Sequence, residues 1–123
     1  MMDKLLRLIL VICACDLGSA VAFASSTERT DQLLWECEGK QPKEMPEAGL
    51  LSCSRYIDGI LDMQAAMIGL GGAFPLFCLP KTGVSVDQAM KIFIEWANAH
   101  PDELHKPARV SVVVALNAAF PCR

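Results

Sequence analysis

Residues 46–70, PEAGLLSCSRYIDGILDMQAAMIGL, decide the fold class of this chain. One set of residues recurs along them in steps of three and four, which is the spacing of one face of an α-helix. That set comprises Leu50, Cys53, Ile57, Ile60, Leu61, Gln64, Met67 and Ile68. We predict a long helix that ends by residues 69–72. Gly59 lies inside it. Either this glycine destabilises the helix by about 1 kcal/mol, or another backbone packs closely against it.

Helices are also predicted on both sides of this segment. A short helix over about residues 30–37 would be capped by Thr27 or Thr30. The sequence SVDQ at residues 85–88 is a capping box that begins a third helix, and this helix runs to about His100.

The segment KPARVSVVVALNAAFPC, residues 106–122, is ambiguous. Its four valines between positions 110 and 114 favour a strand. Pro107 suits the first turn of a helix, and Val110, Val113, Val114 and Ala118 fit one helical face. We predict a helix here, which makes the chain a small all-α domain of about four helices.

The first 24 residues are predicted to be a secretory signal peptide. Lys4 and Arg7 form its basic region, residues 8–17 form a short apolar core, and AFA at residues 22–24 is a small-x-small cleavage site. Cleavage before Ser25 would leave residues 25–123 as one exported domain.

A lipoprotein is the alternative form of export. ICAC at residues 12–15 is an imperfect lipobox, in which Cys15 would carry the lipid. The AFA site fits an ordinary signal peptidase better. No later stretch is long and apolar enough to predict a membrane span.

Four cysteines remain after cleavage, namely Cys37, Cys53, Cys78 and Cys122. An even number in a small exported domain predicts disulfides, and four cysteines allow three pairings. We prefer Cys37 with Cys53 across a short polar connection, which leaves Cys78 with Cys122. A zinc site would be the alternative, but the four form no C-x-x-C pair.

Neither nucleic-acid binding nor catalysis is indicated. The formal net charge is −3, whereas phosphate binding requires a basic patch. HPDELH at residues 100–105 gathers histidines and carboxylates, but its histidines are five positions apart and cannot grip a metal as in H-E-x-x-H. No glycine-rich phosphate loop is present, and disulfide-bonded cysteines provide no thiolate nucleophile. We therefore predict a binding protein with no cofactor rather than an enzyme.

The connection GLGGAFPLFCLPKTG, residues 69–83, is unusually apolar for a loop. Phe74, Leu76, Phe77 and Leu79 lie close together in it. Either the connection folds back on the core and is fastened by Cys78, or residues 74–79 form part of a protein interface. Both interpretations remain open at this point.

Five short motifs in this order resemble the Rap/Tai family of immunity proteins, which are associated with type VI secretion systems. They are CSRYIDGILD (53–62), FCLP (77–80), VSVDQ (84–88), HPDEL (100–104) and ALNAAFPC (115–122). The resemblance covers residues 50–122. The positions that match the family pattern are Cys53, Tyr56, Gly59, Cys78, Pro80, Pro101, Phe120, Pro121 and Cys122.

The resemblance implies a periplasmic, mostly helical, disulfide-bonded protein that is often a homodimer. Such proteins bind a cognate peptidoglycan amidase and block its active-site cleft. We expect residues 74–83 or residues 100–106 to make that contact, and we do not rank the two loops. The candidate partner-binding residues are Phe74, Leu76, Phe77, Lys81, His100, Asp102, Glu103 and His105.

An alternative function is a small periplasmic chaperone or stress protein that binds many clients through apolar surface. It would use Met63, Met67, Phe74 and Phe77, because methionine-rich surfaces adapt to varied partners.

Overall fold

The computed structural model describes residues 28–40, 45–72 and 74–123. These residues form four α-helices and no strand, which confirms the all-α prediction. The helices are α1 (Thr30–Cys37), α2 (Pro46–Gly69), α3 (Val86–Ala99) and α4 (Ala108–Ala119), and a turn of 3-10 helix (Pro101–Glu103) joins α3 to α4. The predicted signal peptide and its cleavage site lie outside the described residues.

The longest helix, α2, is only partly covered by the others. Its 24 residues span about 36 Å, against about 21 Å for the 14 residues of α3. Cys53, Ile57 and Gln64 of the predicted stripe are buried, whereas Leu50, Met67 and Ile68 are exposed. The stripe therefore marks the core only in the middle of α2.

Among the described residues, no helix combines the length and the hydropathy that crossing a membrane requires.

The start of α1 differs from the prediction. Arg29 is the N-cap residue, and Thr30 is the first residue of the helix. The buried Thr30 hydroxyl lies 2.8 Å from the Lys106 carbonyl oxygen and 2.7 Å from Ser111 Oγ. Thr30 thus fastens α1 to the start of α4 instead of capping a helix. The predicted cap of α3 is confirmed, because Ser85 Oγ accepts a hydrogen bond from the Gln88 backbone N–H at 3.1 Å.

The valine-rich segment forms the helix α4, but with a different buried face from the one predicted. The buried residues are Ala108, Ser111, Val112, Ala115 and Leu116, which follow helical spacing. Val110 and Val114 are exposed. The four valines between positions 110 and 114 carry little information about helix phase, and the small side chains at 108, 111 and 115 decide it by allowing close packing.

Two disulfides fasten the helices, in the pairing that the sequence analysis preferred. Cys37 joins α1 to Cys53 of α2, and both residues are buried. Cys78 joins the connection after α2 to Cys122 near the C-terminus, and both residues are exposed. The first disulfide belongs to the core, whereas the second lies at the surface.

Two carboxylates interact along α1, Glu28 before the helix and Glu36 in its last turn. Burial raises the pKa of Glu28 above its ordinary value of 4.5, and the charge of Glu36 raises it further. The Glu36 Oε2 atom is itself buried and has no hydrogen-bond partner among the described residues. Because the folded state then holds the Glu28 proton more tightly than the unfolded state, the contribution of Glu28 to stability falls as pH rises past 4.5.

We therefore expect Glu28→Gln to flatten the pH dependence of stability. Urea unfolding of the wild type and the variant, measured at several pH values from about 4 to about 7, checks this result. The free energy of unfolding of the wild type should fall relative to that of the variant as pH rises. Parallel curves would contradict it.

Candidate functional site

The structure places a fixed loop at one end of the bundle, between α2 and α3. We call residues 74–83 the docking loop. Phe74 is 86 % exposed, and Leu76 and Lys81 are exposed beside it. Phe77 was expected to offer a contact to a partner, but it is fully buried in the core. Its ring packs between the loop and the helices and so fixes the loop to the core.

Gln64 holds the docking loop from α2. Its side chain is buried, its Nε2 donates to the Phe77 carbonyl at 2.7 Å, and its Oε1 accepts from the Leu76 N–H at 3.0 Å. The sequence analysis placed Gln64 on the helical stripe without assigning it a role. A polar residue on an otherwise apolar stripe was the available signal, because a buried amide requires partners.

The C-terminal segment holds the same loop from the other side. Asn117 of α4 donates to the Leu76 carbonyl at 2.8 Å, and the Cys78 N–H donates to the Phe120 carbonyl at 2.9 Å. The Cys78–Cys122 disulfide adds a covalent link. The loop is therefore fixed by hydrogen bonds from two helices and by one cross-link, while Phe74 stays free.

Residues 100–106, which we call the polar loop, are built differently. His100 stacks on Trp96 with ring centroids 4.4 Å apart, and its Nδ1 donates to the Trp96 carbonyl at 2.7 Å. Glu103 forms an ion pair with Lys106. Asp102 and His105 are exposed.

The polar loop also supports α1. The Thr30 N–H donates to the Lys106 carbonyl at 2.9 Å, and the Asp31 N–H donates to the Leu104 carbonyl at 3.0 Å. These bonds satisfy backbone groups that the first turn of a helix otherwise leaves unpaired. The polar loop thus has a structural role.

The eight candidate residues do not form one site. The docking loop adjoins the N-terminal end of α3 and the polar loop adjoins its C-terminal end, about 21 Å away along the helix. Phe74, Leu76 and Lys81 lie at the first end. His100, Asp102, Glu103 and His105 lie at the second.

A groove between α2 and α4 is a further surface feature, and the sequence analysis did not predict it. Its volume is about 550 Å³, and its lining is almost entirely apolar, with Ile60, Met63, Leu76, Val110 and Val113 as the main contributors. Gly59 also lines it. A Cβ atom built at Gly59 meets no atom within 4 Å, so the close backbone contact considered for this glycine is absent. The groove follows from the phase of α4, which turns Val110 and Val114 outward.

The described residues contain no metal site. No group of three His, Cys, Asp or Glu side chains there is placed to hold a metal ion. The features available for function are the docking loop, the polar loop and the groove, all of which suit binding.

Comparison with protein families matches the chain to the model of the Rap1a immunity proteins over residues 29–122. Comparison with curated proteins found no match, and comparison with solved structures found none either. The family match covers well over half of the chain and includes all four helices. This chain therefore belongs to the Rap1a immunity protein family.

Proposed function

We propose that this protein is a periplasmic immunity protein that neutralises a peptidoglycan amidase delivered by a type VI secretion system. In this proposal residues 1–24 direct export and are removed. The mature protein binds the amidase and covers its active-site cleft, so that the peptide substrate cannot enter. Membership of the immunity family supports the binding role, and the two disulfides fit an oxidising compartment.

The observation that carries the proposal is an exposed aromatic residue on a loop whose backbone is already fixed. Phe74 is 86 % exposed, while Gln64, Asn117 and the Cys78–Cys122 disulfide hold the residues that follow it. Binding through such a loop orders few groups, so little conformational entropy opposes it. Aromatic residues are also among those that most often dominate binding energy.

The polar loop is the weaker candidate for this contact. Two of its carbonyls accept hydrogen bonds from α1, and one of its carboxylates is paired with Lys106. A partner would have to compete with these internal contacts. We therefore assign the primary contact to the docking loop.

We also propose that the protein is a homodimer, on the resemblance to Rap/Tai proteins. Light scattering of the purified mature chain measures this directly. The expected mass is twice that of residues 25–123.

The proposed function is tested with the mature chain, residues 25–123, produced in an oxidising compartment. It is mixed with the purified peptidoglycan amidase encoded beside its gene, and binding and hydrolysis of peptidoglycan are measured. Stoichiometric binding with loss of hydrolysis supports the proposal. Absence of binding contradicts it, and weak binding to many unrelated unfolded proteins would favour the chaperone alternative.

Phe74→Ala is expected to weaken amidase binding by about 30-fold, because a central aromatic contact is typically worth about 2 kcal/mol. Calorimetry with the purified amidase measures the dissociation constant. Leu51→Ala is the matched control, since Leu51 is also an exposed apolar residue but lies in the N-terminal part of α2. Equal affinities for Phe74→Ala and the wild type would exclude the docking loop as the primary contact.

A further inference from the structure

We infer that the groove between α2 and α4 receives an amphipathic helix of the same amidase, whose aliphatic side chains enter the groove and whose carboxylate reaches Arg109. This inference rests on the proposed function and extends the contact surface beyond the docking loop. The groove then decides which amidase is recognised, together with Phe74.

The shape of the groove favours a helix as the occupant. It is a trough between two helices, and its rim residues Met63, Val110 and Val114 are all exposed. Small ligands usually bind in clefts that bury most of their surface, which an open trough does not provide. A helix that lays its apolar face into such a trough is a common mode of protein recognition.

The size of the groove shows that it is not a complete interface for any protein partner. Nine of the described residues line it, whereas a stable interface between proteins involves about 20–30 residues on each side. The groove is therefore one part of a larger contact surface. A second copy seated there would need other surface to complete the interface.

The docking loop provides the adjoining part of that surface. Leu76 belongs to the docking loop and also lines the groove. An amidase that binds over Phe74 therefore lies beside the groove. One surface helix of the amidase can then occupy the groove, so that the two contacts form one continuous surface.

Charge specifies the occupant further. Arg109 lines the groove, and among the described residues no Asp or Glu does so. Arg109 is exposed, and the described residues contain no carboxylate within salt-bridge distance of it. A carboxylate on the entering helix complements this cation, so the expected partner helix carries aliphatic residues on one face with an Asp or Glu at its edge.

Gly59→Leu tests the inference by filling the groove from within. The open space around the Cβ position accepts the side chain, and replacing a glycine inside a helix favours the folded state, so the variant should melt no lower than the wild type. We expect its affinity for the amidase to fall by about 10-fold or more, measured by calorimetry. Gly69→Leu is the matched control, because Gly69 is also a helical glycine with open space but does not line the groove.

Arg109→Gln provides a second, independent measurement. It should weaken amidase binding and reduce the dependence of the affinity on salt concentration, because it removes the charge that attracts the partner carboxylate. Wild-type salt dependence in Arg109→Gln would overturn the assignment of the carboxylate.

The outcomes separate the inference from the proposed function. If the wild type binds the amidase and Gly59→Leu binds it equally well, the inference is wrong while the proposed function stands. If Gly59→Leu instead converts a dimer to a monomer without weakening amidase binding, the occupant is a second copy and the inference is likewise wrong. If the wild type does not bind the amidase, the proposed function fails and the inference fails with it.

Discussion

Changing Cys78 and Cys122 together to serine is expected to lower the free energy of unfolding by about 4 kcal/mol. The disulfide joins residues separated by 44 positions, and the chain-entropy estimate for a loop of that length gives this value. The serines lie at the surface, so their hydroxyl groups remain hydrated and add little penalty of their own. Urea unfolding of the double variant and the wild type under non-reducing conditions measures the difference.

Mild reduction provides the control for this experiment. A thiol reductant reaches the exposed Cys78–Cys122 pair before the buried Cys37–Cys53 pair. Alkylation followed by mass spectrometry should therefore find Cys78 and Cys122 modified first, and protein reduced to this stage should unfold like the double variant. A loss of stability below about 1 kcal/mol would show that the hydrogen bonds from Gln64 and Asn117 hold this region without the cross-link.

Phe77→Ala is expected to lower the free energy of unfolding by about 3–5 kcal/mol, which is typical of removing a buried phenylalanine. Phe77 is fully buried and lies in the core between the docking loop and the helices. Its removal leaves a cavity directly under that loop. Urea unfolding measures the loss.

Phe74→Ala is the matched control for Phe77→Ala, since both residues are phenylalanines of the docking loop. Phe74 is exposed, so its removal should change the free energy of unfolding by no more than about 0.5 kcal/mol. Phe77→Ala should therefore lower stability, whereas Phe74→Ala should weaken amidase binding without lowering stability. A large loss of stability in Phe74→Ala, or none in Phe77→Ala, would contradict the burial pattern.

The helices and the disulfides could be predicted from the sequence because local signals specify them. The capping serine of α3, the glycines after α2 and the proline before α4 each act within a few residues. The pairing of Cys37 with Cys53 follows from two neighbouring helices joined by a short connection.

The surface could be predicted less well, because it depends on how the helices rotate against one another. The stripe on α2 includes Leu50 and Met67, which are exposed since no other helix is long enough to cover them. On α4 the valines at 110 and 114 fit a helical face, yet the neighbouring Val112 is the buried one. The groove was missed for this reason.

The separation of the candidate residues into two ends shows a similar limit of sequence patterns. Phe77 and Phe74 are both phenylalanines in one short connection. Only the packing shows that Phe77 is buried and fixes the loop, whereas Phe74 is exposed. The histidines at 100 and 105 were chosen as partner-binding candidates, and no sequence pattern indicated that carbonyl groups of the same turn hold α1.

The hydrogen bonds that fix the docking loop have a consequence for how such a protein diversifies. Gln64 and Asn117 bind main-chain atoms of Leu76 and Phe77, so they do not depend on the side chains at positions 74, 76 and 81. Those exposed positions can acquire new residues while the shape of the loop is inherited unchanged. One scaffold can in this way acquire a new binding specificity by a few substitutions, while every intermediate sequence still folds.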